Sequence, residues 1–308
     1  MITAESVSKY YGARRALADV SFQIAEHEVV GFLGLNGAGK TTALKILCGL
    51  LIPSAGKVLV DGVDGIESPR ELRKKIGFLP DRPPLYPELT VRQQLTYAGR
   101  INGVAPARIA GRVAEVLALA DLSQVADDLV EWLSHGYRQR VGIAQAIIHE
   151  PRLVVLDEPI SGLDPAQIVA MRGLIRGLKE KHTVLLSSHI LGEIAQTVDR
   201  ILVLHEGRIV AQGTESELAR GRASVEVIAR GNADIAKAAL TGIAGITEVS
   251  CAAHGEGTIR VVANVTGDSV REAAVKALVD KGLGVRSVND AAGDLESVFL
   301  KLTKREAA

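Results

Sequence analysis

Through the first ~220 residues, short apolar runs rich in β-branched side chains alternate with segments whose apolar positions recur at helical spacing. That alternation predicts an α/β domain built on a largely parallel sheet. The runs VVGFLG (29–34), LVVLDE (153–158), TVLLSS (183–188) and RILVLHEG (200–207) predict buried strands, with KVLVDG (57–62) and IGFLP (76–80) as further strands. Between Pro87 and Glu150 the period changes: TVRQQLTYAGRI and APARIAGRVAEVLALADL carry apolar residues at helical spacing. This predicts an inserted helical subdomain (about 87–150), introduced by the Pro-rich turn PDRPPLYP (80–87). Near ESELARGRAS (215–224) the rhythm resets into strand, helix, strand, strand, helix, strand, the split-βαβ plan. The expected domains are 1–218 and 222–308, the second closing on an amphipathic segment, LESVFLKLTKRE.

Composition narrows the function classes. The chain has 308 residues, enough for two domains. Lys plus Arg and Asp plus Glu both number 36, so no bulk positive charge favours a nucleic-acid partner, and none is expected. At 3% aromatics the chain also lacks material for base-stacking platforms. Cys48 and Cys251 lie among apolar neighbours and are expected to be buried free thiols in a reducing cytoplasm. No apolar run reaches bilayer-spanning length, and MITAESVSKYYG has no signal-peptide core.

Candidate chemistry begins at GLNGAGKT (34–41), a complete G-x-x-x-x-G-K-[ST] string that follows an apolar strand and opens a helix. Gly34, Gly37 and Gly39, with Asn36 and Ala38, would close backbone N–H groups around a β-phosphate. The start of the helix, at Thr41 and Thr42, adds its dipole. Lys40 would reach the β- and γ-phosphates, and Thr41 would ligate Mg²⁺. In LVVLDE, Asp157 leaves a buried strand at its carboxyl end, where an acid holds Mg²⁺ behind a P-loop. Glu158 follows and would orient or deprotonate an attacking water. His27, His149, His182, His205 and His254 have no motif around them and are expected to be structural or surface residues. Asp19, Asp61 and Asp199 read as turn or capping acids, and Trp132, the sole tryptophan, as packed beneath the loop that follows it.

LSHGYRQRVGIAQAII (133–148) puts Ser134, Gly136 and three polar side chains at the front of an apolar helix. Two readings fit: a capped helix N-terminus, or N–H groups kept free for an anion.

Together these strings resemble the ABC-type ATPases. Leu133-Ser134-His135-Gly136-Tyr137 is similar to that family's LSGGQ signature, with His135 in place of a Gly and Tyr137 in place of the Gln. The resemblance implies that Ser134, Gly136 and Tyr137 press on the ATP of an opposing subunit. It further implies that Tyr11 stacks on adenine, that Ser161 and Asp164 of SGLD lie at a dimer seam, and that His189 of SSHIL senses the γ-phosphate. Asp81 stands where the family carries Gln, and is expected to reach Mg²⁺ through a bridging water. The implied fold is an α/β P-loop NTPase: a RecA-like core, an antiparallel β subdomain and an inserted helical subdomain, followed by a small ferredoxin-like α+β domain. The catalytic set is Lys40, Glu158 and His189; the metal set is Thr41, Asp157 and Asp81; ATP and Mg²⁺ are the cofactors.

LSHGYRQRVGIAQAIIHEP, ISGLDP and IGFLPDRPPLYPELTVRQ look most like the gliding-motility and multidrug-export branch. The expected function is thus an ATP-hydrolysing subunit of an exporter. It would dimerise on ATP, power a separate membrane permease, and lie on the cytoplasmic face of the membrane. The rivals are a permease-independent ATPase acting on ribosomes or DNA, and a nucleotide-binding regulator without turnover.

Overall fold

The computed structural model describes residues 1–219, 223–255 and 257–291. The chain divides into two compact units, Met1–Gln212 and a second that begins at Gly213.

The first unit opens with β1 (Ile2–Tyr11), β2 (Arg14–Ile24), β3 (Val29–Leu33), α1 (Lys40–Leu47), β4 (Ala55–Val60), β5 (Val63–Asp64), α2 (Pro69–Lys74) and β6 (Ile76–Leu79). Three longer helices follow: α3 (Val91–Ile101), α4 (Pro106–Leu119) and α5 (His135–Ile147). β7 (Leu153–Leu156), α6 (Pro165–Leu178), β8 (Thr183–Ser188), α7 (Leu191–Ala195), β9 (Arg200–His205) and β10 (Arg208–Gly213) carry the chain to the break.

The central sheet has the order β10-β9-β3-β8-β7-β6. β3 runs parallel to β8 and β9, and β7 parallel to β6 and β8. Every residue of β3, β7 and β8 is buried, which explains why these strands read as unbroken rather than alternating apolar runs. A second sheet, β2-β1-β4-β5, is antiparallel. From Ala18 onward β2 alternates buried and exposed positions, while β1 is buried at Ile2–Ala4 and largely open toward its end, and the pairing of Tyr11 with Arg14 brings Tyr11 to the tip of the hairpin.

The helical insert is held by side chains as well as by its apolar faces. Thr90 and Gln93 form a reciprocal capping box at the start of α3. Gln94 is buried and satisfied at both ends: its Oε1 accepts from the Tyr86 N–H at 3.0 Å, and its Nε2 donates to Gln145 Oε1 at 2.6 Å. Arg112 reaches from α4 to the end of α5, donating to the carbonyls of Ile147 (3.0 Å) and Ile148 (3.2 Å), groups that a helix C-terminus leaves unpaired. α5 lies against β6 so closely that a Cβ on Gly77 would stand 2.0 Å from the Ala146 carbonyl oxygen.

The second unit contains α8 (Glu215–Ala219), β11 (Ala223–Arg230), α9 (Ala233–Leu240), β12 (Ile246–Ala253), β13 (Thr258–Val265), α10 (Asp268–Asp280) and β14 (Gly284–Ala291). From β11 onward the order is βαββαβ, and the antiparallel sheet runs β12-β13-β11-β14. Val225, Val227, Val261, Ala263, Leu240 and Leu278 form its core, joining one face of the sheet to α9 and α10. Cys251 is only half-buried, against the expected full burial, because β12 is an edge strand with few covered positions. The segment 295–306 lies outside the described residues. Among the described residues, no helix is long and apolar enough to cross a membrane.

Candidate active site

The strand order places β8 between β3 and β7, so three loops that are far apart in sequence leave the sheet side by side. Ligand sites of parallel sheets form at these carboxyl ends. From β3 comes the glycine-rich loop. Gly37 and Gly39 hold φ of 86° and 107°, a region that side chains other than glycine rarely enter. A Cβ on Gly39 would also sit 2.6 Å from the Ala16 carbonyl oxygen. The loop ends at Lys40, the first residue of α1, whose side chain is buried. Lys40 Nζ donates to the Gly34 carbonyl at 2.7 Å and lies 3.3 Å from Glu158 Oε1.

From β7 come Asp157 and Glu158. Asp157 is buried, and both its oxygens are occupied. Oδ2 accepts from the Thr41 hydroxyl at 3.0 Å, and Oδ1 accepts from the Ser187 hydroxyl at 2.6 Å. The same Ser187 Oγ accepts the Glu158 N–H at 3.0 Å. Glu158 has a φ of 51°, a strained setting for a non-glycine residue and one that recurs at functional sites. Its carboxylate is held between Lys40 and His189, which follows β8; His189 Nδ1 lies 2.8 Å from Glu158 Oε2. A carboxylate only accepts, so the imidazole carries its proton on Nδ1 here, leaving Nε2 for another partner.

These groups line one cavity of ≈ 540 Å³. Tyr11, half-exposed with Lys9 Nζ 5.4 Å from its ring centroid, forms one wall. Asn36, Gly37, Gly39, Lys40, Thr41 and Thr42 form the floor, and Asp81, Asp157, Glu158, Ser161 and His189 the far side. The Thr41 hydroxyl and the Asp157 and Asp81 carboxylates are hard oxygen donors, the set that fits Mg²⁺ rather than a softer metal. Ala38 is buried within the loop and does not line the cavity.

Ser134, Gly136, Tyr137 and Asp164 also lie outside this cavity. Ser134 is the N-cap of α5, accepting the Tyr137 N–H at a long 3.4 Å. Asp164 is the N-cap of α6, accepting the Gln167 N–H at 2.9 Å. Tyr137 lies under the Arg140 guanidinium, 5.7 Å from its ring centroid. Trp132 is not packed under the signature loop: it is 71% exposed. Its neighbours Val130 and Leu133 take the inward positions of that turn instead, at 2% and 6% exposure.

Three cavity residues and one supporting residue carry no motif signal. Arg14, Arg15 and Ala16 line the cavity, the first two beside Tyr11 on the β1–β2 hairpin, while Leu35, also in the lining, lies inside the GLNGAGKT string. The basic pair Arg14-Arg15, separated from YYG by Ala13, is their only trace in the sequence. Ser187, fully buried, sits two residues before His189 in the same SSH string, and its link to Asp157 spans 30 positions. Cys48 is buried behind α1, where desolvation and the Asp157 charge push its thiol far above the usual range.

Residues 17–161 match the protein family described as ABC transporter. The bacitracin transport ATP-binding protein BcrA of Bacillus licheniformis is 33% identical over 305 residues, covering 98% of this chain and 97% of its own. The daunorubicin resistance ATP-binding protein DrrA3 of Streptomyces coeruleorubidus is 34% identical, covering 98% and 95%. Among solved structures, the dimeric post-hydrolysis state of the ATP-binding cassette MJ0796 with ADP and Pi superposes with a TM-score of 0.63. It is 27% identical and covers 70% of this chain and 98% of the other.

Proposed function

The chain belongs to the ABC transporter ATP-binding proteins and is an ATPase of that family, and on this premise we propose that it powers an export-type transporter. Two copies close head to tail on ATP and open after hydrolysis, and a separate membrane permease on whose cytoplasmic side they sit turns that cycle into transport. Support for export comes from the full-length likeness to proteins named for bacitracin transport and daunorubicin resistance.

Each site residue has a part in this reading. The glycine-rich loop and Lys40 bind the β- and γ-phosphates, and Tyr11 stacks on the adenine. Thr41 and Asp157 would hold Mg²⁺, with Asp81 acting through water; when bound, the ion neutralises charge on the phosphates. Phosphates entering the loop compete with Glu158 for Lys40, freeing that carboxylate to take a proton from water. His189 keeps the carboxylate aimed from the other side. Ser134, Gly136 and Tyr137 serve the opposing copy's ATP, consistent with their lying outside the cavity of their own chain.

The observation that carries the reading is Glu158, held at 3.3 Å from Lys40 and 2.8 Å from His189 in one cavity with Asp157. Glu158→Gln is expected to keep ATP binding and lower turnover by roughly 10²–10⁴-fold, the range for losing a general base. It should accumulate a dimer with Mg²⁺-ATP on size exclusion. Wild-type turnover in this variant would remove Glu158 from the mechanism.

A further inference from the structure

The signature helix and the loop after Glu158 belong to opposite ends of the proposed dimer's chemistry, yet within one chain they touch. We propose that His135 is a positioning residue that couples the two ATP sites, an inference that rests on the head-to-tail reading above. His135 Nε2 donates to the Ser161 carbonyl at 3.2 Å. The acceptor is a carbonyl, so the donor is the ring N–H. The imidazole edge lies close to Gly162, whose φ is 73°: a Cβ there would be 3.7 Å from Nε2 and 3.8 Å from Cδ2. The next residue repeats the contact. Gly136 faces Gln167 so closely that a Cβ would stand 2.6 Å from Gln167 Oε1, while the Gln167 N–H is held by Asp164.

Ser161 is itself tied to the backbone of the turn that carries the hydrolytic residue, since its N–H donates to the Glu158 main-chain carbonyl at 3.2 Å, and it lines the cavity of its own chain. A continuous run of contacts therefore leads from the Glu158 turn, through Ser161 and His135, to the helix end capped by Ser134. One end responds to the chain's own nucleotide; the other meets its partner's. A Gly at position 135, the residue of the common signature, has no side chain to make this bond. Movement of the Ser161 turn as the γ-phosphate is lost pulls on the α5 N-terminus through His135 and so changes the grip on the opposing ATP.

The test uses the full chain with Mg²⁺-ATP. Wild type is expected to hydrolyse with a Hill coefficient above one. His135→Ala should bring that coefficient to about one and lower kcat by about threefold to tenfold, the effect of one lost hydrogen bond. ATP affinity of the monomer and the thermal midpoint should stay unchanged, because His135 is exposed and outside its own cavity. His135→Gln, whose amide nitrogen reaches the same position, should restore both parameters. A non-cooperative wild type, an alanine variant that behaves as wild type, or failed rescue by Gln overturns the coupling. Glu158→Gln run in parallel separates the two ideas: if it stays inactive and dimeric while His135→Ala is silent, only the coupling fails.

Discussion

Ser187 has no motif role of its own, yet its hydroxyl meets both acids of the site. It donates to Asp157 Oδ1 and accepts from the Glu158 backbone. Removing it leaves a buried carboxylate oxygen and a backbone N–H one partner short, which costs about 1–3 kcal/mol. Ser187→Ala is therefore expected to lower the denaturant midpoint by that amount and to reduce turnover, because Glu158 loses the contact that fixes its left-handed backbone. Ser187→Thr keeps the hydroxyl and should recover most of both. A midpoint unchanged in the alanine variant would mean that water replaces the hydroxyl without loss. Asp157 and Glu158 were legible because they end a buried strand behind a phosphate loop. Ser187 was not, because its partner lies 30 residues away and only strand pairing brings the two together.

At the scale of elements, α5 is constrained at both ends and along its flank. Its N-terminus carries the signature residues, its C-terminus is capped by Arg112, and its flank rests on β6 at Gly77. Gly77→Ala would drive a methyl group into the Ala146 carbonyl at 2.0 Å, a backbone atom that cannot rotate aside. Overpacking of this kind costs typically ~1–3 kcal/mol, and the upper end is expected here because the helix must move as a whole. The thermal midpoint should fall. ATPase activity should fall further than Tm alone explains, as the displaced helix carries Ser134 and His135 with it. Stability lost with activity retained would show that the signature end of α5 moves independently of its flank. The helical period of this segment was visible in the sequence. The tightness of its seat on β6 was not, since a glycine in a strand is equally compatible with a bulge or a close approach.

For the first unit as a whole, a pair of histidines gives a pH response away from the cavity. His149 follows α5 and bonds the Ile76 carbonyl; His182 precedes β8 and bonds the Pro151 carbonyl. Burial depresses both below the ordinary histidine value of 6.5, and the Arg112 charge adds to the effect. Among the described residues His149 Nδ1 has no partner, so a proton added there gains no hydrogen bond from them. A histidine held low in the folded state binds fewer protons than in the unfolded chain, so its stabilisation is present above 6.5 and is lost as pH falls below it. Thermal midpoints measured between pH 7.5 and 5.5 should therefore decline, and the decline should shrink in the double variant His149→Gln/His182→Gln. Equal slopes for the two proteins would remove both histidines from the acid response. Asp61, Asp199 and Glu115 are held below their usual values by ion pairs, and their stabilisation is lost only at lower pH.

By itself the sequence determined what depends on contiguous residues. The glycine-rich loop needs its backbone angles and its lysine within one short string, so Gly37, Gly39, Lys40 and Thr41 announce a phosphate site wherever they stand. Buried parallel strands need apolar residues on both faces, so β3, β7 and β8 stood out, whereas half-exposed β1 and β2 did not. Tertiary structure alone decided which of those pieces meet. The order β3-β8-β7 sets His189 and Ser187 between the lysine loop and the two acids. The turn before α5 sends Leu133 inward and Trp132 out, and the approach of α6 brings Ser161 to His135. Strand order and side-chain direction follow from the best simultaneous burial of the whole unit, a sum over distant residues that no local string contains.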